Sequence, residues 1–266
     1  MLYSLSVAIF FCTMTPLVIA LQWTIGKLGL PGWGTVASGY YYLLCKLLGF
    51  RIRIVGVPIR DKAVLFVSNH VSWADILVIG SVAPIAFVSK AEVGNWPLVG
   101  PTARLQRTVF VDRSRRQQTG DAIADMVQRL ESDISVVLFA EGTSSDGNRV
   151  LPFRSALIGA VREAASRAET GIIIQPMSIC YTSLHGMPMG RQKRPLIAWY
   201  GDLDFVPHFK AFLRRSVIDV VVSYGEPIAA DASTDRKKLA RQLETAVREL
   251  TTATLLGRPR PLHAGK

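Results

Sequence analysis

The stretch Val67-Ser-Asn-His70-Val-Ser-Trp-Ala-Asp75-Ile-Leu-Val78 marks the point where a short apolar strand turns into a helix. The run Ala63-Val-Leu-Phe-Val67 before it is typical of a buried strand, and Ser72 followed three residues later by Asp75 is typical of a helix start. His70 is therefore predicted to lie on the turn, and Asp75 is predicted to lie in the first helical turn.

The spacing of His70 and Asp75 permits a base with an orienting carboxylate. An alcohol is a poor nucleophile until a group accepts its proton, and a neutral imidazole does this near neutral pH. A carboxylate on one ring nitrogen would hold the tautomer while the other nitrogen faces a substrate, as in the serine hydrolases but without the serine. The alternative is structural, because Ser72 and Asp75 also form a variant of the helix capping box.

The order of apolar and polar segments favours one α/β domain. A chain of 266 residues with 49% hydrophobic residues is long enough for one sizeable core. Short apolar runs alternate with amphipathic ones, which predicts a sheet with helices on its faces. The predicted strands are Arg51–Val55, Ala63–Val67, Thr108–Val111, Val136–Phe139, Ile172–Ile179, Leu196–Tyr200 and Ile218–Tyr224.

The sequence predicts three regions. Residues 1–50 are expected to associate with a membrane, residues 51–257 to form the catalytic domain, and residues 258–266 to form a basic tail. A final helix is predicted within the domain by an apolar stripe between charged positions, with Asp231 or Ser233 as its N-cap. The stripe consists of Leu239, Leu243, Val247 and Leu250.

The first 26 residues carry no charged side chain and are long enough to span a bilayer. A second stretch, residues 35–50, follows the Pro31-Gly32 break and has the tyrosines and lysine expected of a helix in the membrane interface. A secretory signal peptide is one alternative, but a basic n-region and a clear cleavage site are missing, so a retained anchor is predicted. Buried core helices are the other alternative. Whether the pair spans the bilayer or enters one leaflet stays open.

The charge of the chain is strongly basic, with a formal net charge of +11, and no Asp or Glu occurs before Asp61. Such charge favours anionic lipid headgroups, nucleic-acid phosphates or an acidic protein partner. The basic residues near the N-terminus accompany apolar segments, and no nucleic-acid recognition motif is evident. An anionic membrane surface is therefore the predicted partner, with nucleic acid excluded.

The three cysteines, Cys12, Cys45 and Cys180, are far apart and lack the spacing of metal ligands. This pattern predicts neither a disulfide framework nor a zinc site, and it fits a reducing compartment. No metal and no cofactor are therefore expected.

Two further polar groups follow predicted strands. The run Phe139-Ala-Glu141-Gly-Thr-Ser-Ser-Asp-Gly147 ends a strand in a glycine-containing loop, where free amides could meet an anion or a hydroxyl. An ordinary turn is the alternative. Lys90 lies near Glu92, and Arg113 follows the strand Thr108–Val111. Arginine suits bidentate recognition of phosphate or carboxylate, which makes Arg113 a candidate despite the usual solvation of surface charges.

Four ordered blocks of the chain together resemble those of the glycerolipid acyltransferase family, whose best-known members are the lysophosphatidate (1-acylglycerol-3-phosphate) acyltransferases. The resemblance covers most of the chain after the predicted anchor. It implies one α/β acyltransferase domain with a mixed sheet flanked by helices, preceded by an apolar helical segment. The blocks are Asn69-His70-x4-Asp75, the stretch from Lys90 through Val109-Phe-Val-Asp112-Arg113, Phe139-Ala-Glu141-Gly142-Thr143 continuing to Leu151-Pro152-Phe153-Arg154, and Ile174-Gln-Pro176-Met-Ser-Ile179.

The resemblance implies a role for each matched residue, with His70 as general base and Asp75 as its orienting partner. Glu141, Gly142 and Thr143 are implied to hold the acceptor, Lys90 and Arg113 to contact its anionic group, and Pro176 to shape the pocket. The implied reaction moves a fatty acyl group from an acyl carrier protein or coenzyme A thioester to the free hydroxyl of a lysolipid. It needs neither an acyl-enzyme intermediate nor a metal. The expected location is the bacterial inner membrane, with the site facing the cytoplasm.

One residue departs from the lysophosphatidate pattern. Members that use lysophosphatidate commonly carry arginine after Glu-Gly-Thr, where this chain has Ser144. Either Arg149 or Arg154 replaces the missing cation, or the acceptor is not a phosphomonoester. The stretches Glu141–Ser155 and Tyr181–Arg191 look similar to the bacterial lyso-ornithine lipid O-acyltransferases, which acylate a 3-hydroxyacyl-ornithine.

Lyso-ornithine lipid is therefore the expected acceptor, and lysophosphatidate, giving phosphatidic acid, is the alternative within the class, with both activities in one protein also open. A hypothesis from another class is a basic membrane-associated binding protein without catalysis. In that case His70 would be a loop residue and Asp75 a helix cap. The acidic surface of acyl carrier protein would suit the basic chain under the first hypothesis.

Overall fold

A computed structural model describes residues 2–96, 99–111, 116–168, 171–214 and 217–259 of the protein. Strands and helices alternate along the chain, which confirms the predicted α/β class. In chain order the elements are α1 Leu2–Lys27, α2 Trp33–Leu47, β1 Phe50–Val55, β2 Leu65–Ser68, α3 Ala74–Val82, β3 Ala86–Lys90, α4 Val99–Leu105, β4 Val109–Val111, α5 Arg116–Glu131, β5 Val136–Phe139, α6 Ser155–Arg167, β6 Ile172–Leu184, β7 Met187–Pro188, α7 Phe205–Phe212, β8 Ile218–Tyr224, β9 Ile228–Ala230 and α8 Arg236–Leu255.

The strands form one mixed sheet in the order β1-β8-β6-β2-β5-β3-β4, with β7 and β9 paired to β6. β2 runs parallel to both of its neighbours, β5 and β6, whereas β8 runs antiparallel to β6. In this register Ser68 lies opposite Phe139 on β5 and Met177 on β6. The carboxyl ends of β2 and β5 therefore meet at one edge of the sheet, where ligands bind in sheets of this kind.

Helices cover both faces of the sheet, so its central strands are buried and mostly apolar. Every residue of β2 and of β5 is buried. Phe66 and Phe139 lie in a core cluster with residues of α2 and α3. Leu65 and Leu138 lie in a second cluster with residues of α5, α6 and α8. Such double coverage explains why these short runs show no alternation of apolar and polar residues.

The first two helices form a hairpin that packs on α3. Tyr40 and Tyr41 of α2 lie in a cluster with apolar residues of α1 and α3, and the Tyr40 hydroxyl is hydrogen-bonded to Thr15 of α1. Within the described residues, one helical segment, Ser6–Lys27, is long and apolar enough to cross a membrane, and 11% of that span is buried inside the protein. The hairpin therefore presents most of the surface of α1 outward.

The structure contradicts one predicted strand and contains three that were not predicted, β3, β7 and β9. Leu196–Tyr200 is not a strand, because Arg194–Leu196 is a short 3-10 turn and the chain then runs irregularly across the edge of the sheet. Ile197 is nevertheless fully buried there, which explains the apolar run. Ala86–Lys90, which was not predicted, is the strand β3 between β5 and β4.

The predicted cap of the last helix was also wrong. Asp235 is the N-cap of α8, and its carboxylate accepts a hydrogen bond of 2.7 Å from the backbone N–H of Lys238. Asp231 instead closes a separate turn, in which it accepts hydrogen bonds from Ser233. Both turns use the same cap chemistry, so residue type alone could not separate them.

The contact between Gly80 of α3 and Tyr41 of α2 yields a stability prediction. A Cβ at Gly80 would overlap the Tyr41 ring. We expect Gly80→Ala to lower the free energy of unfolding by about 1–3 kcal/mol, because overpacking forces the two helices apart. Gly39→Ala is the matched control on α2, since its Cβ would meet nothing within 4 Å. Thermal unfolding in detergent measures both, and equal midpoints would contradict the prediction.

Candidate active site

His70 and Asp75 lie together where β2 ends and α3 begins. The Nδ1 atom of His70 is 2.8 Å from Oδ2 of Asp75, whose side chain is fully buried. The same oxygen accepts hydrogen bonds from the backbone N–H groups of Val71, at 2.7 Å, and Ser72, at 3.1 Å. One carboxylate thus binds the turn before α3 and also orients the imidazole. The geometry is compatible with both the structural and the chemical interpretation of Asp75, and its role as the orienting partner of a base stays a prediction.

Tyr181 completes the surroundings of Asp75, although the sequence analysis did not single it out. Its hydroxyl donates a hydrogen bond of 2.7 Å to Oδ1 of Asp75 from β6. Burial raises the pKa of Tyr181 well above its ordinary value, and the charge of Asp75 raises it further. The sequence feature that could have identified Tyr181 is its position two residues after Ile179. Both residues lie on the same face of β6, which continues beyond the predicted end of the strand. Asp75 therefore has four hydrogen-bond donors.

The imidazole of His70 is held against the sheet and stays partly open. Its ring is stacked on that of Phe139 at a centroid distance of 4.1 Å, and its side chain is 20% exposed. Because Nδ1 is used by Asp75, the second ring nitrogen, Nε2, is the one left for chemistry with a ligand. Among the described residues, no group of three His, Cys, Asp or Glu side chains could hold a metal ion.

Glu141 joins the loop after β2 to the loop after β5. Its Oε1 accepts a hydrogen bond of 3.0 Å from the backbone N–H of His70, and its Oε2 accepts one of 2.9 Å from that of Leu151. The side chain is 1% exposed, and this burial raises the pKa of Glu141 to about 7. The carboxylate thus fixes the backbone of the histidine, and direct contact with an acceptor stays a prediction.

The loop after Glu141 packs against the histidine turn. Gly142 has a φ of 70°, a conformation that favours glycine, and the next residue, Thr143, is exposed. The Ser144 hydroxyl donates to the backbone carbonyl of Trp199. The backbone N–H of Ser145 donates a hydrogen bond of 2.8 Å to the carbonyl of His70. The loop is therefore held by Glu141 before the exposed Thr143 and by Ser144 and Ser145 after it.

The remaining predicted site residues lie on other parts of the sheet and its loops. Lys90 is exposed at the end of β3, and Arg113 lies outside the described residues. Arg154 is exposed beside the Glu141 loop, where its Nε is 3.4 Å from the carbonyl oxygen of Glu141. Pro176 is buried inside the sheet opposite Val67, so it supports the strand below the site.

Glu141 also makes the pH dependence of stability testable. Because the folded protein binds this proton more tightly than the unfolded chain, stability falls as pH rises from the ordinary value of 4.5 to about 7. The loss is about 3 kcal/mol, at about 1.4 kcal/mol per pH unit. We expect the stability of wild type relative to Glu141→Gln to fall over this interval.

Thermal unfolding midpoints measured across the interval give the comparison. The exposed Glu131, at the end of α5, supplies the control Glu131→Gln, which should follow the wild-type curve. Parallel pH curves for wild type and Glu141→Gln would contradict the assignment of this titration to Glu141.

Comparison with known proteins extends these observations. A family model described as "Acyltransferase" matches residues 51–180, which include His70, Asp75 and Glu141. Two proteins named lyso-ornithine lipid O-acyltransferase are similar to the chain. The Brucella abortus protein is 47% identical, with 86% of this chain and 87% of that protein covered. The Rhizobium meliloti protein is 42% identical, with 85% and 78% covered.

The fold also matches a solved structure. The 1-acyl-sn-glycerophosphate acyltransferase of Thermotoga maritima superposes with a TM-score of 0.66 at 20% identity, over 95% of this chain and 93% of that one. This likeness confirms the mixed sheet with flanking helices that the sequence predicts. Together with the identities above, it leads to one conclusion: the chain belongs to the acyltransferase family and is an acyltransferase.

Proposed function

We propose that the protein is a lysolipid O-acyltransferase that acylates the hydroxyl of lyso-ornithine lipid to give ornithine lipid. The observation that carries the chemistry is the His70–Asp75 pair, 2.8 Å apart and partly open at the edge of the sheet. The named relatives from Brucella abortus and Rhizobium meliloti support the choice of acceptor.

The mechanism follows from the hydrogen bonds of the pair. Asp75 accepts from Nδ1 of His70, so Nε2 carries the free lone pair and removes the proton of the acceptor hydroxyl. The oxygen attacks the thioester carbonyl, a C–O bond forms, and the tetrahedral intermediate collapses by breaking the C–S bond. The imidazolium then returns the proton to the leaving thiolate. Asp75 stabilises the imidazolium without taking its proton.

The acceptor is inferred from Ser144 and from what surrounds it. The hydroxyl of Ser144 is engaged with the carbonyl of Trp199, so this position supplies no cation for a phosphomonoester. Lyso-ornithine lipid carries no phosphate, which agrees with that arrangement. Lysophosphatidate is the second candidate, since a Neisseria gonorrhoeae protein named 1-acyl-sn-glycerol-3-phosphate acyltransferase is 32% identical over 72% of this chain. Lys90, Arg149 and Arg154 are exposed cations that could then serve it.

The helical hairpin is proposed to hold the protein on one leaflet of the bacterial inner membrane. α2 lies along α3, with Gly34 against Pro84 and Gly80 against Tyr41, so a hairpin crossing the bilayer would take the sheet with it. Lysine–aromatic pairs near the C-terminal ends of both helices suit the headgroup level. They are Lys27 over Trp23, at 4.8 Å, and Lys46 over Tyr42, at 5.4 Å.

We propose that this leaflet is the cytoplasmic one, because acyl thioesters are made in the cytoplasm. The donor is proposed to be acyl carrier protein or coenzyme A thioester. The acidic carrier protein is favoured by the net charge of +11 on this chain.

An acceptor panel tests the proposed function. The purified full-length protein, in detergent, is given one acyl carrier protein thioester and either lyso-ornithine lipid or lysophosphatidate. We expect a higher kcat/KM for lyso-ornithine lipid. Ready acylation of lysophosphatidate with no product from lyso-ornithine lipid would overturn the choice of acceptor, and no product from either would mean that neither lipid is the acceptor.

The base is tested by His70→Ala. We expect kcat to fall about a hundredfold to ten-thousandfold, the range for loss of a general base, while membrane association stays unchanged. His185, on the turn between β6 and β7, gives the control His185→Asn, because asparagine tolerates its φ of 54°. Equal activity of wild type and His70→Ala would remove this histidine from the mechanism.

Tyr181→Phe tests the second oxygen of Asp75. The change leaves Oδ1 buried without the 2.7 Å hydrogen bond, so the carboxylate holds the imidazole less well. We expect kcat to fall about tenfold, equivalent to about 1.4 kcal/mol, with KM within about twofold. Tyr224→Phe, another buried tyrosine of the sheet, should leave kcat unchanged. A matching loss in both variants would indicate a general packing effect.

A further inference from the structure

The backbone of Trp199 is bound to both loops that form the catalytic centre. Its N–H donates a hydrogen bond of 3.0 Å to the carbonyl of Val71, the residue after His70. Its own carbonyl accepts a hydrogen bond from the hydroxyl of Ser144, the residue after Thr143. These two hydrogen bonds therefore fix the irregular segment that contains Trp199 across the edge of the sheet, close to His70.

The indole of Trp199 is held in a cluster of three aromatic rings. Its Nε1 donates a hydrogen bond of 2.7 Å to the carbonyl of Leu203. The ring centroid lies 6.4 Å from that of Trp96 and 5.9 Å from that of Phe205. Phe205 is also 5.8 Å from Trp73, in the turn that leads from His70 into α3. The cluster thus joins three separate segments next to the catalytic pair.

The surface of this cluster carries several exposed apolar side chains. Trp96 remains 37% exposed, and two neighbouring side chains, Leu203 and Val206, are 45% and 57% exposed. Apolar and aromatic surface beside a few fixed polar groups is the usual lining of a site for an apolar ligand. The cluster is linked to His70, which is one-fifth exposed, through the hydrogen bond from the Trp199 N–H to the carbonyl of the adjacent residue Val71.

The proposed acceptor has its reacting hydroxyl on a carbon of the fatty chain itself. The chain therefore continues past the reacting carbon and must lie on a surface next to the base. A glycerol hydroxyl, by contrast, lies close to the charged phosphate. An aromatic surface beside His70 suits the first arrangement, and this inference therefore rests on the proposed function.

We propose that Trp199, Trp96 and Phe205 form an aromatic wall on which the hydroxyacyl chain of the acceptor lies. Trp199 is a specificity-determining residue of this wall, and Ser144 is a positioning residue that acts through it. Ser144, the residue after Glu-Gly-Thr, therefore serves to hold the aromatic wall in place, because its hydroxyl donates a hydrogen bond to the carbonyl of Trp199.

The test compares two acceptors that differ in chain length. They are 3-hydroxyhexadecanoyl-ornithine and 3-hydroxybutanoyl-ornithine, each given with one acyl carrier protein thioester. We expect Trp199→Ala to raise KM for the long acceptor about tenfold, because apolar contact area is lost, with kcat within about twofold. KM for the short acceptor should not change. Trp199→Phe keeps an aromatic ring and should recover most of the affinity.

Ser144 is tested in the same assay. Ser144→Ala removes the hydrogen bond to Trp199 and should raise KM for the long acceptor about threefold, while Ser144→Thr keeps the hydroxyl and should stay near wild type. Leu196→Ala, an exposed apolar position on the same segment, is the control and should leave both acceptors unaffected. Unfolding midpoints are measured for every variant, so that a folding defect is recognised.

Two results would overturn the proposed aromatic wall. KM for the short acceptor could rise as much as KM for the long one, or KM could stay unchanged for both. Failure of the proposed function is distinguished from failure of the wall by the wild-type protein alone. If the proposed function is wrong, wild type makes no product from either ornithine acceptor.

Discussion

The buried carboxylate of Asp75 is the group on which the arrangement of the site depends. An ionised carboxylate in the protein interior is tolerated only when it is paired and hydrogen-bonded. Asp75 meets this condition through Nδ1 of His70, the N–H groups of Val71 and Ser72, and the hydroxyl of Tyr181. The need to satisfy one charge therefore binds the turn after β2, the start of α3 and the strand β6 into a single unit.

Hydrogen bonds between different segments also hold the neighbouring loops in place. Glu141 binds the backbone N–H of His70 from the loop after β5. The backbone of Trp199 donates to the carbonyl of Val71 and accepts from the side-chain hydroxyl of Ser144. The groups that fix the site are thus mostly backbone atoms held by side chains of other segments. Such mutual support would hold His70 in position as the base of the proposed mechanism. It leaves the open nitrogen of His70 as the reactive atom in the proposed mechanism.

The site and the helical hairpin meet through α3. This helix begins at Ala74, close to His70, and Gly80 near its other end packs on Tyr41 of the hairpin. A protein held on a membrane by the hairpin would therefore keep a fixed distance between the lipid surface and the catalytic pair. This linkage suits an acyltransferase whose proposed acceptor stays in the bilayer while its thioester donor arrives from solution.

The local sequence by itself determined the α/β class, the strand-turn-helix at His70 and Asp75, and the apolar helix at the N-terminus. Periodicity, turn chemistry and length decide such features over a few neighbouring residues. Tertiary structure alone decided that Tyr181 reaches Asp75, that Glu141 points inward and that residues 196–200 form an irregular segment instead of a strand. Each of these depends on strand register between distant parts of the chain, which local patterns do not contain.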